Sequence, residues 1–189
     1  MGKNIFYLII FVMIAFLVID LFFIFARRAP FEIVYYRTNM EYDYDGNATF
    51  TTVAGLFFKD PKKRESYRET YLKNSKETFQ EYFKKVGEEV GRDIIPVSFD
   101  STVMVRSGIL EISETAFLKN VAIKKDGAID TSMGSLTLNI VGDSEVSLKI
   151  PEGATIVSID PTPTSIVGKT IKWRPKGPML FPRVIFKKK

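Results

Sequence analysis

The sequence predicts an α+β fold: an N-terminal transmembrane helix, then a mainly antiparallel β-sheet domain with one long amphipathic helix packed on it. Three observations carry this. An apolar run from Ile5 to Ala26 dominates the first 28 residues, a single stretch between Asp60 and Gly91 holds helical periodicity, and nearly everything else alternates at the two-residue period of strands. Setting residues 1–28 aside as the anchor leaves 29–189, the size of one ordinary domain able to bury its own core.

From Ile5 to Ala26 run 22 residues, apolar except for Asp20. At about 1.5 Å per residue they reach about 33 Å, enough for a hydrocarbon core of about 30 Å. The run is long for a signal peptide, and Ile24-Phe25-Ala26 is a poor small-residue cleavage site, so a retained single-pass signal-anchor is expected. Asp20 is expected to snorkel towards Arg27 and Arg28 or to meet a polar group on another membrane helix. Lys3 and the N-terminal amine stand against Arg27, Arg28 and Arg37, and this tally does not fix orientation. A short tail before one long apolar run favours a soluble domain on the extracytoplasmic side of the cell membrane.

Beyond Arg28 the period changes. Phe31–Tyr42 and Ala48–Phe58 are rich in aromatic and β-branched residues and flank Asp43-Tyr44-Asp45-Gly46-Asn47, which reads as a hairpin. Asp60 then offers an N-cap, Pro61 a first helical position and Gly91 a stop. Between them Tyr67, Tyr71, Phe79, Tyr82, Phe83, Val86 and Val90 share one helical face, which is expected to cover a sheet. Glu69/Lys73 and Glu81/Lys85 lie in the favourable four-residue order on the solvated side.

Short strands are predicted over 97–106, 109–117, 121–124, 128–131, 136–141, 146–150, 155–160 and 170–174. Ser107-Gly108, Asp126-Gly127 and Gly142-Asp143 supply turns. Together they predict a meander forming one antiparallel sheet with the helix on one face.

Composition excludes more chemistry than it suggests. Without Cys there is no disulfide, zinc thiolate or thiol nucleophile. Without His there is no imidazole base or ligand. Carboxylate chemistry, a Ser-Lys dyad and oxygen-ligated hard cations survive. Gln80 is the sole glutamine amid many Lys and Glu, a composition that leans towards a thermophile.

Glu41-Tyr42-Asp43-Tyr44-Asp45-Gly46 resembles the start of a calcium loop. Thr52 stands where the bidentate Glu is needed, so a plain hairpin tip is favoured. Ser132-Met133 brings membrane-anchored Ser-Lys peptidases to mind but lies far from the anchor and lacks the following proline. After Asp160 no acidic residue occurs while Lys169, Lys172, Arg174, Lys176, Arg183 and Lys187 to Lys189 accumulate. That reads as a solvated basic tail, or as a contact for anionic lipid. No residue is singled out as catalytic, cofactor-binding or metal-ligating, and no cofactor is expected.

Pro151-Glu152-Gly153-Ala154, Pro161-Thr162-Pro163 and Gly168 to Trp173 resemble motifs of a family of roughly 200-residue, N-terminally membrane-anchored proteins from thermophilic prokaryotes. In that family a Pro-x-Gly-Ala turn precedes a Pro-x-Pro loop and a Gly-x-x-x-x-Trp strand. The order of anchor, hairpin, helix and strands fits as well. The resemblance implies a domain of unknown function and transfers no catalytic residues.

The expectation is a non-enzymatic, membrane-tethered binding or structural module. Its partners would be the lipid bilayer and an envelope protein or a second copy of the chain; nucleic acid is disfavoured. The alternatives are a membrane-anchored hydrolase using carboxylates or a Ser-Lys dyad, and an accessory subunit held through its spanning helix.

Overall fold

The computed structural model describes residues 30–138 and 142–189. The expected span at 5–26, with Asp20, lies outside the described residues, among which no helix is long and apolar enough to cross a membrane. The described domain is α+β, with a mainly antiparallel sheet and one helix packed on it.

Strands β1 (Phe31–Tyr42) and β2 (Ala48–Phe58) form the expected hairpin. Helix α1 (Pro61–Val90) follows, then β3 (Ile95–Arg106) and β4 (Ile109–Lys119). Both helix ends match the sequence reading. The Asp60 carboxylate accepts from the Lys62 N–H at 2.9 Å, and Gly91 adopts φ 66°, letting the Arg92 N–H reach back to the Gly87 carbonyl.

The remaining strands are short: β5 (Ile123–Lys125), β6 (Ala128–Asp130), β7 (Thr137–Leu138), β8 (Asp143–Lys149), β9 (Ala154–Asp160), β10 (Ser165–Val167), β11 (Thr170–Trp173), β12 (Met179–Leu180) and β13 (Arg183–Lys188). They do not form one meander. Seven strands order as β10-β11-β8-β1-β2-β4-β3, a second sheet orders as β5-β6-β13-β9, and β12 pairs with β7.

The expectation of a simple antiparallel sheet is corrected at one place, because β8 lies parallel to β1, with Tyr35 opposite Asp143 and Glu41 opposite Lys149. A parallel neighbour needs a crossover, and here the connection runs from β1 through the helix and both middle hairpins. Period-two alternation names strands but not their partners.

The basic C-terminus is likewise no tail. It forms β13, the strand between β6 and β9, with Val184 and Phe186 fully buried and its lysines outward. Four charges in its seven last residues hide that alternation.

Helix α1 covers the inward face of β1, β2, β4 and β3. Phe79 stacks on Phe99 with ring centroids 4.4 Å apart, Phe83 meets Phe50, and Tyr67 stands edge-on to Phe31. Beyond the helix the same core continues through Val146, Leu148, Ile171 and Trp173, whose indole donates to the Pro161 carbonyl. The opposite sheet face is polar and carries ion pairs such as Arg37–Asp143 and Lys149–Glu41.

The two ends of this domain differ. At the proximal end the chain enters β1 at Phe31, opposite Phe58; α1 begins there, and the Ser107-Gly108 turn is tied to it by Arg64, whose guanidinium donates to the Gly108 carbonyl. At the distal end lies the β1–β2 turn, joined to the second sheet by Tyr44 against Phe186, Lys124 to Asp45 and the Ala122 N–H to the Gly46 carbonyl. Twelve residues of β1 separate the ends, about 40 Å.

The helix also closes tightly at its last turn. Replacing a mid-helix Gly by Ala normally stabilises by about 1 kcal/mol. A Cβ at Gly87 would lie 2.6 Å from the Arg92 carbonyl oxygen, a backbone atom that cannot step aside. Gly87→Ala is therefore expected to lower stability in urea unfolding by more than about 1 kcal/mol; an unchanged or raised midpoint would contradict this packing.

Candidate functional site

The sheet register places Thr38, Thr52, Glu114 and Ser101 side by side across β1, β2, β4 and β3. All four point to the helix side, and this polar row crosses an otherwise apolar core. The Thr38 hydroxyl donates to the Tyr36 hydroxyl at 2.6 Å and lies 3.1 Å from that of Thr52. Glu114 is 2% exposed. Tyr71 of α1 donates its hydroxyl to Glu114 Oε1 at 2.5 Å, while Oε2 is buried without a hydrogen-bond partner among the described residues.

A carboxylate in such a place is costly when charged. Burial pushes Glu114 up to about 7, against the opposing pull of the Tyr71 hydrogen bond. Burial, and then the neighbouring Glu114 charge, also raise the Tyr71 phenol. The arrangement can hold or release one proton near neutrality, and it links the helix to the central strands. Since α1 seals Glu114 from solvent, a dissolved substrate has no route to it. Its position reads as a pH-sensitive structural group.

The open face holds a second carboxylate–phenol pair, in which Tyr35 donates to Glu111 at 2.6 Å. Burial, followed by Glu111, raises the Tyr35 phenol to about 12. Nearby, Glu145 receives Lys172 at 3.1 Å and Arg174 at 2.6 Å. Burial alone would raise its carboxyl, but these two cations hold it below the usual range. Arg183 and the Ser132 N–H do the same for Asp130 against a similar burial effect.

The motifs weighed in the sequence fall elsewhere. In the Glu41–Gly46 turn, Asp43 accepts from the backbone N–H groups of Asp45 and Asn47 and from the Asn47 side chain, and Asp45 pairs with Lys124. Those oxygens close a turn instead of converging on a cation, and no group of three or more Asp or Glu capable of holding a metal occurs among the described residues. Ser132 sits in the loop after β6; its carbonyl accepts from Arg92, which also donates to the Val121 carbonyl, and no lysine hydrogen-bonds its hydroxyl among the described residues. The basic residues Lys187 to Lys189 lie at the distal end, with Lys188 over the Tyr44 ring and the Lys189 N–H on the Gly153 carbonyl.

Glu114 went unremarked in the sequence, although a signal existed. It occupies the inward phase of Leu110, Ile112, Ala116 and Leu118, where an apolar residue is expected.

Residues 31–187 match the family described as a domain of unknown function, DUF4897, and the chain belongs to that family. No curated protein matches it. Among solved structures, the folded domain of Mycobacterium tuberculosis LppM aligns at 10% identity with a TM-score of 0.46, covering 85% of this chain and 92% of that one. A crystal structure from Parabacteroides distasonis ATCC 8503, provisionally described as a protease, aligns at 10% identity and a TM-score of 0.29 over 85% of this chain and 40% of its own.

The Glu114 environment makes a signed pH prediction. Its carboxyl rises on folding from about 4.5 to about 7, so the native state keeps a proton that the unfolded chain gives up. This stability is fully present below about pH 4.5 and is lost as pH rises to about 7, by about 3 kcal/mol at most. The chain has no His, so no imidazole obscures that window. Glu114→Gln is expected to flatten the fall in urea-unfolding stability between pH 5 and 7 and to be the more stable protein at pH 8; an unchanged slope would contradict the assignment.

Proposed function

We propose that this chain is a membrane-tethered, extracytoplasmic and non-enzymatic binding module that takes up an extended segment of another envelope protein along β3. The tether is the apolar run 5–26, which precedes β1 by four residues.

The observation that carries the binding mode is the free edge of β3. This strand ends the seven-stranded sheet, is twelve residues long and exposes Ile95, Val97, Met104 and Val105. Long edge strands are ordinarily blunted by Lys, Pro or bulges. Here Pro96 and the register shift between Pro96 and Ser98 protect only the start. From Ser98 to Val105 no Lys or Pro interrupts it, whereas the other edge, β10, has three residues.

A strand added there would gain main-chain hydrogen bonds along the free side of β3 and place alternate side chains against Thr102 and Met104. Asp100 and Arg106 lie on that same outward face, so the best-fitting segment carries a cation near the first and an anion near the second. The rigid helix-backed sheet supplies a preorganised template. The buried position of Glu114 supports binding over catalysis.

A photocrosslinker placed at Thr102 in the full chain, expressed in its host, is expected to give a discrete protein adduct in intact cells. Met104→Lys with Val105→Lys should abolish that adduct without loss of thermal stability, because both side chains are exposed. Persistence of the adduct in the lysine variant would remove β3 as the binding edge.

A further inference from the structure

We propose that the proximal end of the domain is a membrane-facing surface that seats on anionic lipid headgroups. This rests on the tether reading above, and it adds which face meets the bilayer and what it recognises there.

Only Arg27 to Pro30 lie between the end of the apolar run at Ala26 and the first residue of β1. Fully extended, that link reaches at most about 18 Å. With the apolar run across the hydrocarbon core, Phe31 and the elements around it stand in or beside the headgroup layer. The distal end, about 40 Å further along β1, is not held there by this leash.

Lys59 at the end of β2, Lys62, Lys63 and Arg64 in the first turn of α1, Arg68 one turn on, and Arg106 before the β3–β4 turn gather around the proximal end. Five carboxylates stand among these six cations: Glu32 pairs with Lys59, Asp60 caps the helix, Glu65 pairs with Arg68, Glu69 follows Arg68, and Glu111 of β4 lies with Arg106 beside Tyr35. The surface remains cationic. Beside it stand Phe57 and Val34, each 40% exposed, and Val105 at 44%. Phe57 is the one aromatic among the large apolar side chains exposed in the described residues. Cations interspersed with exposed apolar groups are the composition of an interfacial surface.

The helix dipole favours acidic residues at the start of a helix and basic ones at its end. Helix α1 has no acidic residue in its first turn and no basic residue in its last, opening on Lys62-Lys63-Arg64 and closing on Glu88-Glu89. Asp60 already caps the first N–H groups, and anionic headgroups at the proximal end would answer the misplaced cations.

The distal end is also basic, through Lys124, Lys125 and Lys187 to Lys189. Charge alone therefore selects neither end, and the leash selects the proximal one. The C-terminal lysines, the obvious lipid contact in the sequence, stand away from the bilayer that holds their own chain.

The cysteine-free chain permits a direct test. Full-length Val105→Cys and Lys125→Cys proteins would each be labelled with a fluorophore and reconstituted into phosphatidylcholine vesicles with or without phosphatidylglycerol, containing headgroup-nitroxide lipid. Quenching is expected at position 105, rising several-fold with phosphatidylglycerol, and not at 125. Adding Lys59→Glu, Lys63→Glu and Arg106→Glu should remove the phosphatidylglycerol dependence while the chain still floats with the vesicles. A floating chain unquenched at 105, or quenched equally at 125, overturns the surface and leaves the tether standing. A chain that does not float overturns the tether, and this surface with it.

Discussion

One long helix has to seal one face of a seven-stranded sheet, and most of this architecture follows from how it does so. The aromatic stripe of α1 reaches the sheet through Tyr67, Tyr71, Phe79 and Phe83, large side chains that bury much apolar area for each residue ordered. The helix lies over β1, β2, β4 and β3 and ends in a turn so tight that Gly87 must lack a Cβ. Where its stripe stops, the core passes to Trp173, Leu148 and the inner residues of the second sheet. The outward face of the large sheet is left to threonines, serines and ion pairs. Surface pairs of that kind contribute about 0–1 kcal/mol each, so the core carries the stability and the polar face is free for other uses.

The connection from β1 to its parallel neighbour β8 turns this layered domain into one with two unlike ends. By placing β8 beside β1, the chain extends the sheet on the β1 side through β8, β11 and β10 and finishes in β13, at the far end from where β1 begins. Among the described residues, the proximal end gathers the start of β1, the end of β2, the helix start, the β3–β4 turn and the start of β8. The distal end is stapled by backbone bonds such as Ala122 to Gly46 and Lys189 to Gly153. The proposed tether at one end and the four-stranded sheet at the other suit a module that stands off a surface, with β3 running as a free edge between the two.

The helix and the first hairpin were legible in the sequence because their signals are local. Asp60, Pro61 and Gly91 mark the helix by cap chemistry, and the Asp43–Asn47 turn with its flanking alternation marks the hairpin. The parallel pairing of β1 with β8 was not legible, since alternation carries no information about partners more than a hundred residues away. Strand β13 was hidden because its outward lysines dominate the composition of the last residues, and only the buried Val184 and Phe186 betray it. Glu114 could have been found by asking which strand residue violates its own inward phase. The role proposed for Lys62, Lys63 and Arg64 needed the fold, which places the start of α1 beside the start of β1.

The central claim is that the domain stands outside the cytoplasm on a retained membrane segment. Its most direct test is protease accessibility in intact cells, with mass analysis of the fragment left in the membrane. The account predicts cleavage of the domain from outside, leaving a membrane-bound fragment that contains residues 5–26 intact. Full protection until the cytoplasmic membrane is opened would contradict it, and would place the β3 edge and the basic proximal end on the cytoplasmic side.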